Sequence, residues 1–260
     1  MTPLHIEQHT IPFLGRSLFA QIWLPDGAQK APIVLMHDSL GCVALWRDFP
    51  SQLASATGRM VVAYDRLGFG RSSAHADALP MSFVADEAHQ GLAQVLQHLG
   101  LHTFVVLGHS VGGGMAVCSA AHYPQRCESL ITLSAQAFVE ARTILGIRAA
   151  KKQFSEPGAL DRLARYHGDK AGWVLHAWTD TWLSSAFASW SLDTYLRKVR
   201  CPALIIHGEQ DEFGSAAHPQ RIAQGVQGES SMHLLAGCAH MPHKEQTLHC
   251  LELIQTHLNR

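Results

Sequence analysis

The chain has no dominant charge. Its 20 Lys and Arg are balanced by 21 Asp and Glu, and no long run carries one sign. Proteins that grip nucleic acid or an anionic membrane surface concentrate basic side chains, so neither is expected as a partner. No stretch approaches the ~18 uninterrupted apolar residues of a membrane span. The opening residues, Met1 to His9, lack both the basic and the apolar region of a secretory signal, and a cytoplasmic setting is expected. Cys42, Cys118, Cys127, Cys201, Cys238 and Cys250 form no C-x-x-C pair, which reads as reduced thiols rather than a disulfide frame. Cys238, His240 and His243 lie close together, but no second ligand cluster accompanies them, and no zinc site is expected. No phosphate loop and no G-x-G-x-x-G after a strand is present, which leaves nucleotide chemistry without its usual signature. Internal repeats and low-complexity tracts are missing too.

What is present describes a globular core. With 260 residues, 47% apolar and 16% charged, the chain can bury roughly three quarters of its unfolded surface. Residues 5–13 and 17–24 alternate like an antiparallel hairpin around a turn at Phe13-Leu14-Gly15-Arg16. Short all-apolar runs then recur at 33–36, 60–64, 103–107, 130–133, 203–206 and 232–235, with helix-length segments at 46–57, 82–99, 112–123, 215–225 and 243–258. That pattern predicts an α/β fold, a doubly wound and mostly parallel sheet covered on both faces.

Residues 136–199 break the rhythm. They carry no strand-like run and read as helices at 138–154, 158–167, 170–186 and 192–198. The expected organisation is a core of 1–135 and 200–260 with a small all-helical cap, 136–199, inserted before the next strand. The cap holds Trp173, Trp178, Trp182 and Trp190, which either glue it to the core or line a pocket. Phe138, Phe154, Phe187, Leu145, Leu175 and Leu183 would add apolar walls favouring apolar or aromatic acyl groups. Arg142, Arg148, Lys151 and Lys152 read as a solvated face, unless one turns inward to a substrate carboxylate. Trp46-Arg47-Asp48 reads as a structural anchor of its helix.

The stretch Gly108-His109-Ser110-Val111-Gly112-Gly113-Gly114 lies between an apolar strand and a helix. That context gives G-x-S-x-G its meaning: a strained turn lifts the serine hydroxyl to the carboxyl edge of a sheet, above a helix start that favours negative charge. A serine hydroxyl needs a base, and the base needs an orienting acceptor. The loop after 203–206 offers Glu209, Asp211 and Glu212, and the loop after 232–235 offers His240 and His243. Nucleophile, acid, base is the order this architecture requires.

With these motifs in order, residues 10–258 resemble the α/β-hydrolase superfamily, specifically its short-capped bacterial members. Gly208-Glu209-Gln210-Asp211 matches that family's acid turn and Gly237-Cys238-Ala239-His240 its base turn, which implies Asp211 as acid and His240 as base. His37-Asp38-Ser39-Leu40-Gly41 stands at the oxyanion loop, and Asp65 to Ser72 matches the D-x-x-G-x-G-x-S turn. The resemblance implies an oxyanion hole made by the N–H groups of Ser39 and Val111, with Leu40 the alternative if the loop is shifted by one. Asp38 departs from the pattern, since most members carry Gly there. It reads as a loop hydrogen-bonder, and Asp tolerates a positive φ better than most residues if the position needs one.

The activity implied is hydrolysis of carboxylic esters, thioesters or lactones of small molecules through an acyl-enzyme on Ser110, without metal or cofactor. One alternative is a C–C bond hydrolase of aromatic breakdown, although such members usually follow their His with Trp and this chain has Met241-Pro242. Another is a triad-bearing sensor signalling through its cap. Those members tend toward G-H-S-V-S, whereas Gly112 closes the motif here.

Overall fold

The computed structural model of the chain describes residues 4–260, so residues 1–3 of the expected core unit lie outside the described residues. The hairpin and the apolar runs join one eight-stranded sheet. Its strands are β1 (Leu4–Phe13), β2 (Arg16–Pro25), β3 (Ile33–Met36), β4 (Val61–Asp65), β5 (Phe104–His109), β6 (Cys127–Leu133), β7 (Ala203–Gly208) and β8 (Ser230–Leu235). They lie in the order β1-β2-β4-β3-β5-β6-β7-β8. β2 runs antiparallel to β1 and β4, and every pairing from β4 across to β8 is parallel. Every residue of β3, β4, β5 and β7 is buried, which is why those segments read as unbroken apolar runs. The edge strands β1 and β8 are partly exposed.

Among the described residues there are eleven α-helices. They are α1 (Phe49–Thr57), α2 (Phe83–Asp86), α3 (Gly91–His98), α4 (Val111–His122), α5 (Ala141–Phe154), α6 (Ala159–His167), α7 (Ala171–Trp182), α8 (Asp193–Leu196), α9 (Ala217–Gly225), α10 (Pro242–Glu245) and α11 (Thr247–Leu258). Strand alternation divides the interior in two. Ile33, Leu35, Val105, Leu107, Leu204 and Ile206 share one core with Leu53 of α1 and Leu251 and Ile254 of α11. Val34, Met36, Val106, Leu130 and Ile205 face the other, with Leu92 and Leu96 of α3, Met115 of α4 and Ile222 of α9. Both faces are covered, as a doubly wound sheet requires. No helix among the described residues is long and apolar enough to cross a membrane.

Several helix bounds differ from the periodic reading, each for a local reason. The segment 82–99 is split between α2 and α3. There Glu87 turns inward to accept the Tyr64 hydroxyl at 2.6 Å, a tie that apolar periodicity does not reveal. The segment 46–57 becomes helical only at Phe49, because Arg47 has φ 56 and Pro50, lacking an N–H, fits only a first turn. Helix 138–154 starts at Ala141, since Phe138 pairs with Ser191 in a short extended bridge.

Residues 141–196 hold α5 to α8 with short 3-10 turns and, among the described residues, no strand. Polar ties fasten them to the sheet's loops. His167 donates from Nε2 to the Leu40 carbonyl at 2.9 Å and accepts the Gly70 N–H on Nδ1 at 2.9 Å. Lys170 donates to the carbonyls of Gly70, at 2.7 Å, and Ser72.

Candidate active site

Between β5 and α4 the chain turns within one residue. Ser110 has φ 58 and ψ −126, a conformation that L side chains rarely adopt. Missing side chains permit the turn: a Cβ on Gly108 would lie 2.0 Å from the Gly112 carbonyl oxygen, and one on Gly112 2.1 Å from that of Met36. The Ser110 N–H donates to the Leu133 carbonyl at 2.9 Å, and the Gly113 N–H to the Ser110 carbonyl at 2.9 Å. Pinned on both sides, the hydroxyl stands at the first turn of a helix buried from Val111 to Ala121.

Two loops reach this hydroxyl. After β7, Asp211 is fully buried and its Oδ1 accepts the N–H groups of Phe213 at 2.8 Å and Gly214 at 3.2 Å. After β8, His240 places Nδ1 2.9 Å from both Asp211 carboxylate oxygens and Nε2 3.0 Å from Ser110 Oγ. A carboxylate only accepts, so Nδ1 carries the proton and Nε2 offers its lone pair to the hydroxyl. Burial pushes Asp211 up, but the hydrogen bond and charge of His240, with His207 and the Phe213 N–H, outweigh it and hold the carboxyl below its usual range. Burial pulls His240 down, and the hydrogen bond and charge of Asp211 reverse the sign and raise it above an ordinary histidine.

The other residues offered by the same loops lie elsewhere. Glu209 and Glu212 are exposed. His243 is buried with ring centroids 4.9 Å from Trp46 and 4.7 Å from His109. Cys238 turns its thiol toward the Ala239 carbonyl. Among the described residues no group of three or more His, Cys, Asp or Glu could hold a metal ion. All six cysteines are free and buried.

A cavity of about 250 Å³ opens on Ser110 and His240, with Asp38 and Ser39 on its wall. Among the described residues, neither the Ser39 nor the Val111 N–H donates to a main-chain acceptor. The Leu40 N–H, by contrast, is taken by Asp38 Oδ1 at 2.8 Å. Asp38 is not among the residues with positive φ, so its tolerance for that conformation is not called upon. Burial raises Asp38, but His109, His37 and the Leu40 N–H dominate and hold its carboxyl far below the usual range.

The helices between β6 and β7 supply much of the remaining wall. Thr143, Ile147 and Phe154 come from α5, and Trp178 and Trp182 from α7. The tryptophans thus divide: Trp173 stacks on His75 at 5.1 Å and Trp190 on Phe187 at 5.2 Å, both away from the cavity lining. Five expected wall residues are elsewhere, among them Leu175 and Leu183, which pack against other apolar clusters outside the cavity lining. Leu145 is 64% exposed, Phe138 stacks on His218, and Phe187 is buried among other aromatics. Arg142 donates to the Asp211 main-chain carbonyl at 3.1 Å, and Lys151 pairs with Asp180 at 2.7 Å. Neither these nor Arg148 and Lys152 line the cavity.

Gln136 is the residue that sequence reasoning passed over. It is buried just beyond β6, with Oε1 3.2 Å from Ser110 Oγ. One hydroxyl proton cannot serve both Gln136 Oε1 and His240 Nε2. With its amide reversed, Gln136 donates to Oγ and leaves that proton for His240. A polar residue just past an apolar strand, at the edge where Ser110 stands, was the available signal. A larger cavity, about 600 Å³, lies at the other end of the sheet among Arg59, Ser129 and His257, remote from these groups.

Comparison with known proteins agrees with this architecture. A family model described as alpha/beta hydrolase fold matches residues 31–194. Serine hydrolase BPHL of Mus musculus is 30% identical over 232 residues, covering 86% of this chain and 75% of that protein. A proline iminopeptidase of Lactobacillus helveticus is 23% identical over 295 residues, covering 99% of each. Among solved structures, the 2-hydroxy-6-oxo-6-phenylhexa-2,4-dienoate hydrolase of Rhodococcus sp. strain RHA1 superposes with a TM-score of 0.77 at 17% identity, covering 99% of this chain and 100% of that one. At that identity the likeness is one of fold.

Proposed function

The chain belongs to the alpha/beta hydrolase fold family and is a hydrolase, and from that premise we propose that it cleaves small carboxylic esters, thioesters or lactones through an acyl-enzyme on Ser110. The observation that carries this reading is the unbroken line of contacts from Ser110 Oγ to His240 Nε2, at 3.0 Å, and from His240 Nδ1 to Asp211, at 2.9 Å. Ser110 attacks the acyl carbon while His240 takes the hydroxyl proton. Asp211 holds the imidazole tautomer and stabilises the imidazolium that forms. The Ser39 and Val111 amides receive the charge developing on the acyl oxygen, each such donor being worth about 3 kcal/mol to the transition state. His240 returns the proton to the leaving group, then activates the water that releases the acid.

Residues 136–199 act in this proposal as the cap that selects the acyl group. Ile147, Phe154, Trp178 and Trp182 give the cavity an apolar and aromatic wall, and its volume of about 250 Å³ suits short, medium or aromatic acyl groups. Its lining includes neither Lys nor Arg. Nothing basic is therefore offered to the carboxylate of a dienoate such as the one named for the Rhodococcus hydrolase, which weighs against the C–C cleaving alternative.

The test is a panel of esters, thioesters, lactones, aminoacyl amides and a dienoate cleaved at a C–C bond, combined with labelling by a fluorophosphonate. Steady turnover of the first three classes and a single adduct on Ser110 are expected. Labelling that persists in Ser110→Ala, or turnover confined to amides or C–C substrates, would replace this reading.

A further inference from the structure

Asp38 is the residue in the oxyanion loop that the mechanism above does not use. Its carboxylate reaches in two directions. Oδ1 accepts the Leu40 N–H at 2.8 Å. Oδ2 lies 3.3 Å from Nδ1 of His109, the residue just before Ser110. His109 is buried, and its Nε2 donates to the main-chain carbonyl of His240 at 2.8 Å. Both nitrogens of that ring thus face acceptors. Asp38's own carbonyl accepts from His37 Nδ1 at 2.8 Å, from the buried Arg66 guanidinium at 2.9 Å and from the Gly41 N–H at 3.2 Å. One residue thereby joins the oxyanion loop, the Ser110 turn, the His240 loop and the turn after β4.

The consequence concerns three successive amides. Asp38 engages the N–H of Leu40 with its side chain and that of Gly41 with its carbonyl. Ser39 lines the cavity beside Ser110, and among the described residues its N–H donates to no main-chain acceptor. We propose that Asp38 is a positioning residue for the oxyanion hole: by holding Leu40 and His109 at once, its carboxylate aims the Ser39 N–H at the acyl oxygen and fixes its distance from the nucleophile. The proposal rests on the serine mechanism above and adds a residue to it. Without the carboxylate, the Leu40 amide is released as a competing donor and the loop loses its tie to the Ser110 turn. The acyl oxygen gains its negative charge only in the transition state, so the loss falls on kcat and not on substrate binding.

The experiment compares wild type with Asp38→Ala and Asp38→Asn in hydrolysis of an activated aryl ester, in inhibition by an aryl trifluoromethyl ketone, and in thermal unfolding. The ketone adds to the serine as a hemiketal whose oxyanion occupies the hole. Asp38→Ala is expected to lower kcat about 100-fold, the scale of one lost oxyanion donor. Its KM should stay within about threefold and its inhibition constant for the ketone should rise in parallel with the loss in kcat. Asp38→Asn keeps an oxygen for Leu40 but no charge toward His109, and should lose about tenfold in both kcat and ketone affinity. That near-isosteric variant carries the test if Asp38→Ala does not fold. Unchanged kcat and ketone affinity in Asp38→Asn and in any folded Asp38→Ala, or a loss confined to KM, overturns the proposal. A wild-type enzyme that forms no ketone adduct on Ser110 overturns the serine mechanism itself, and this inference with it.

Discussion

The loops around Ser110 and the helices from α5 to α8 meet at one cavity but present different groups to it. The loops are bound by contacts between buried and half-buried polar groups: Ser110 to His240, His240 to Asp211, Asp211 to the Phe213 and Gly214 amides, and Asp38 to the Leu40 amide. The helices face the same space mainly with Ile147, Phe154, Trp178 and Trp182. Hydrogen bonds fix direction and distance, which bond making demands. Apolar contacts tolerate exchange at a cost that scales with area. Changes in the loops should therefore lower turnover of every substrate alike, whereas changes in the helices should reorder substrates.

The largest expected effect is that of Ser110→Ala. It should reduce kcat on the order of a millionfold, measured on the best ester, with the far-ultraviolet spectrum and melting temperature retained. Asp211→Asn comes next, with a loss of about 10⁴ in kcat because the amide favours the wrong imidazole tautomer. If Glu209→Gln costs more than Asp211→Asn, the acid is misassigned. Gln136→Leu should cost about tenfold in kcat, the scale of one hydrogen bond to the reacting oxygen, and little in KM.

The pH profile sharpens the same contrast. His240 must be neutral to accept the serine proton, and its neighbours raise it above an ordinary histidine. Activity should thus fall, on acidification, through a value above the usual ~6.5. Asp211→Asn removes the main cause of that rise, so the acid limb of its residual activity should move to lower pH. Trp178→Ala should leave the limb in place. The smallest effect is expected from Arg148→Ala and Lys152→Ala, both outside the cavity lining. Their kcat/KM ratios for neutral and carboxylate-bearing esters should match wild type.

The two regions also differed in how much the sequence disclosed. The inner strands were legible because burial on both faces demands continuous apolar runs and the opening hairpin because it alternates, and all eight lie within a few residues of the expected segments. The Ser110 turn was legible because close backbone approach at Gly108 and Gly112 excludes side chains. Motif matching separated Asp211 from Glu209 and Glu212, and burial separates them too. What escaped was polar and long-range. Glu87 bonds Tyr64 next to the break between α2 and α3, Gln136 approaches Ser110 from the end of β6, and His167 reaches Leu40 from α6. No local periodicity encodes such pairs. The cavity wall was only partly legible, since composition offered Trp178 and Trp182 as pocket candidates but could not tell Phe154, which lines the cavity, from Leu145, which faces solvent.

The most direct test of the division of labour is the ratio of kcat/KM for a hexanoyl and an acetyl ester of one alcohol, measured in wild type, Asp211→Asn and Trp178→Ala. Asp211→Asn should lower both values by the same factor and leave the ratio unchanged. Trp178→Ala should change the ratio several-fold, since each methylene buried against the wall is worth about 0.8 kcal/mol, while the acetyl ester retains most of its wild-type kcat. A ratio that moves in Asp211→Asn and stays fixed in Trp178→Ala would contradict the account.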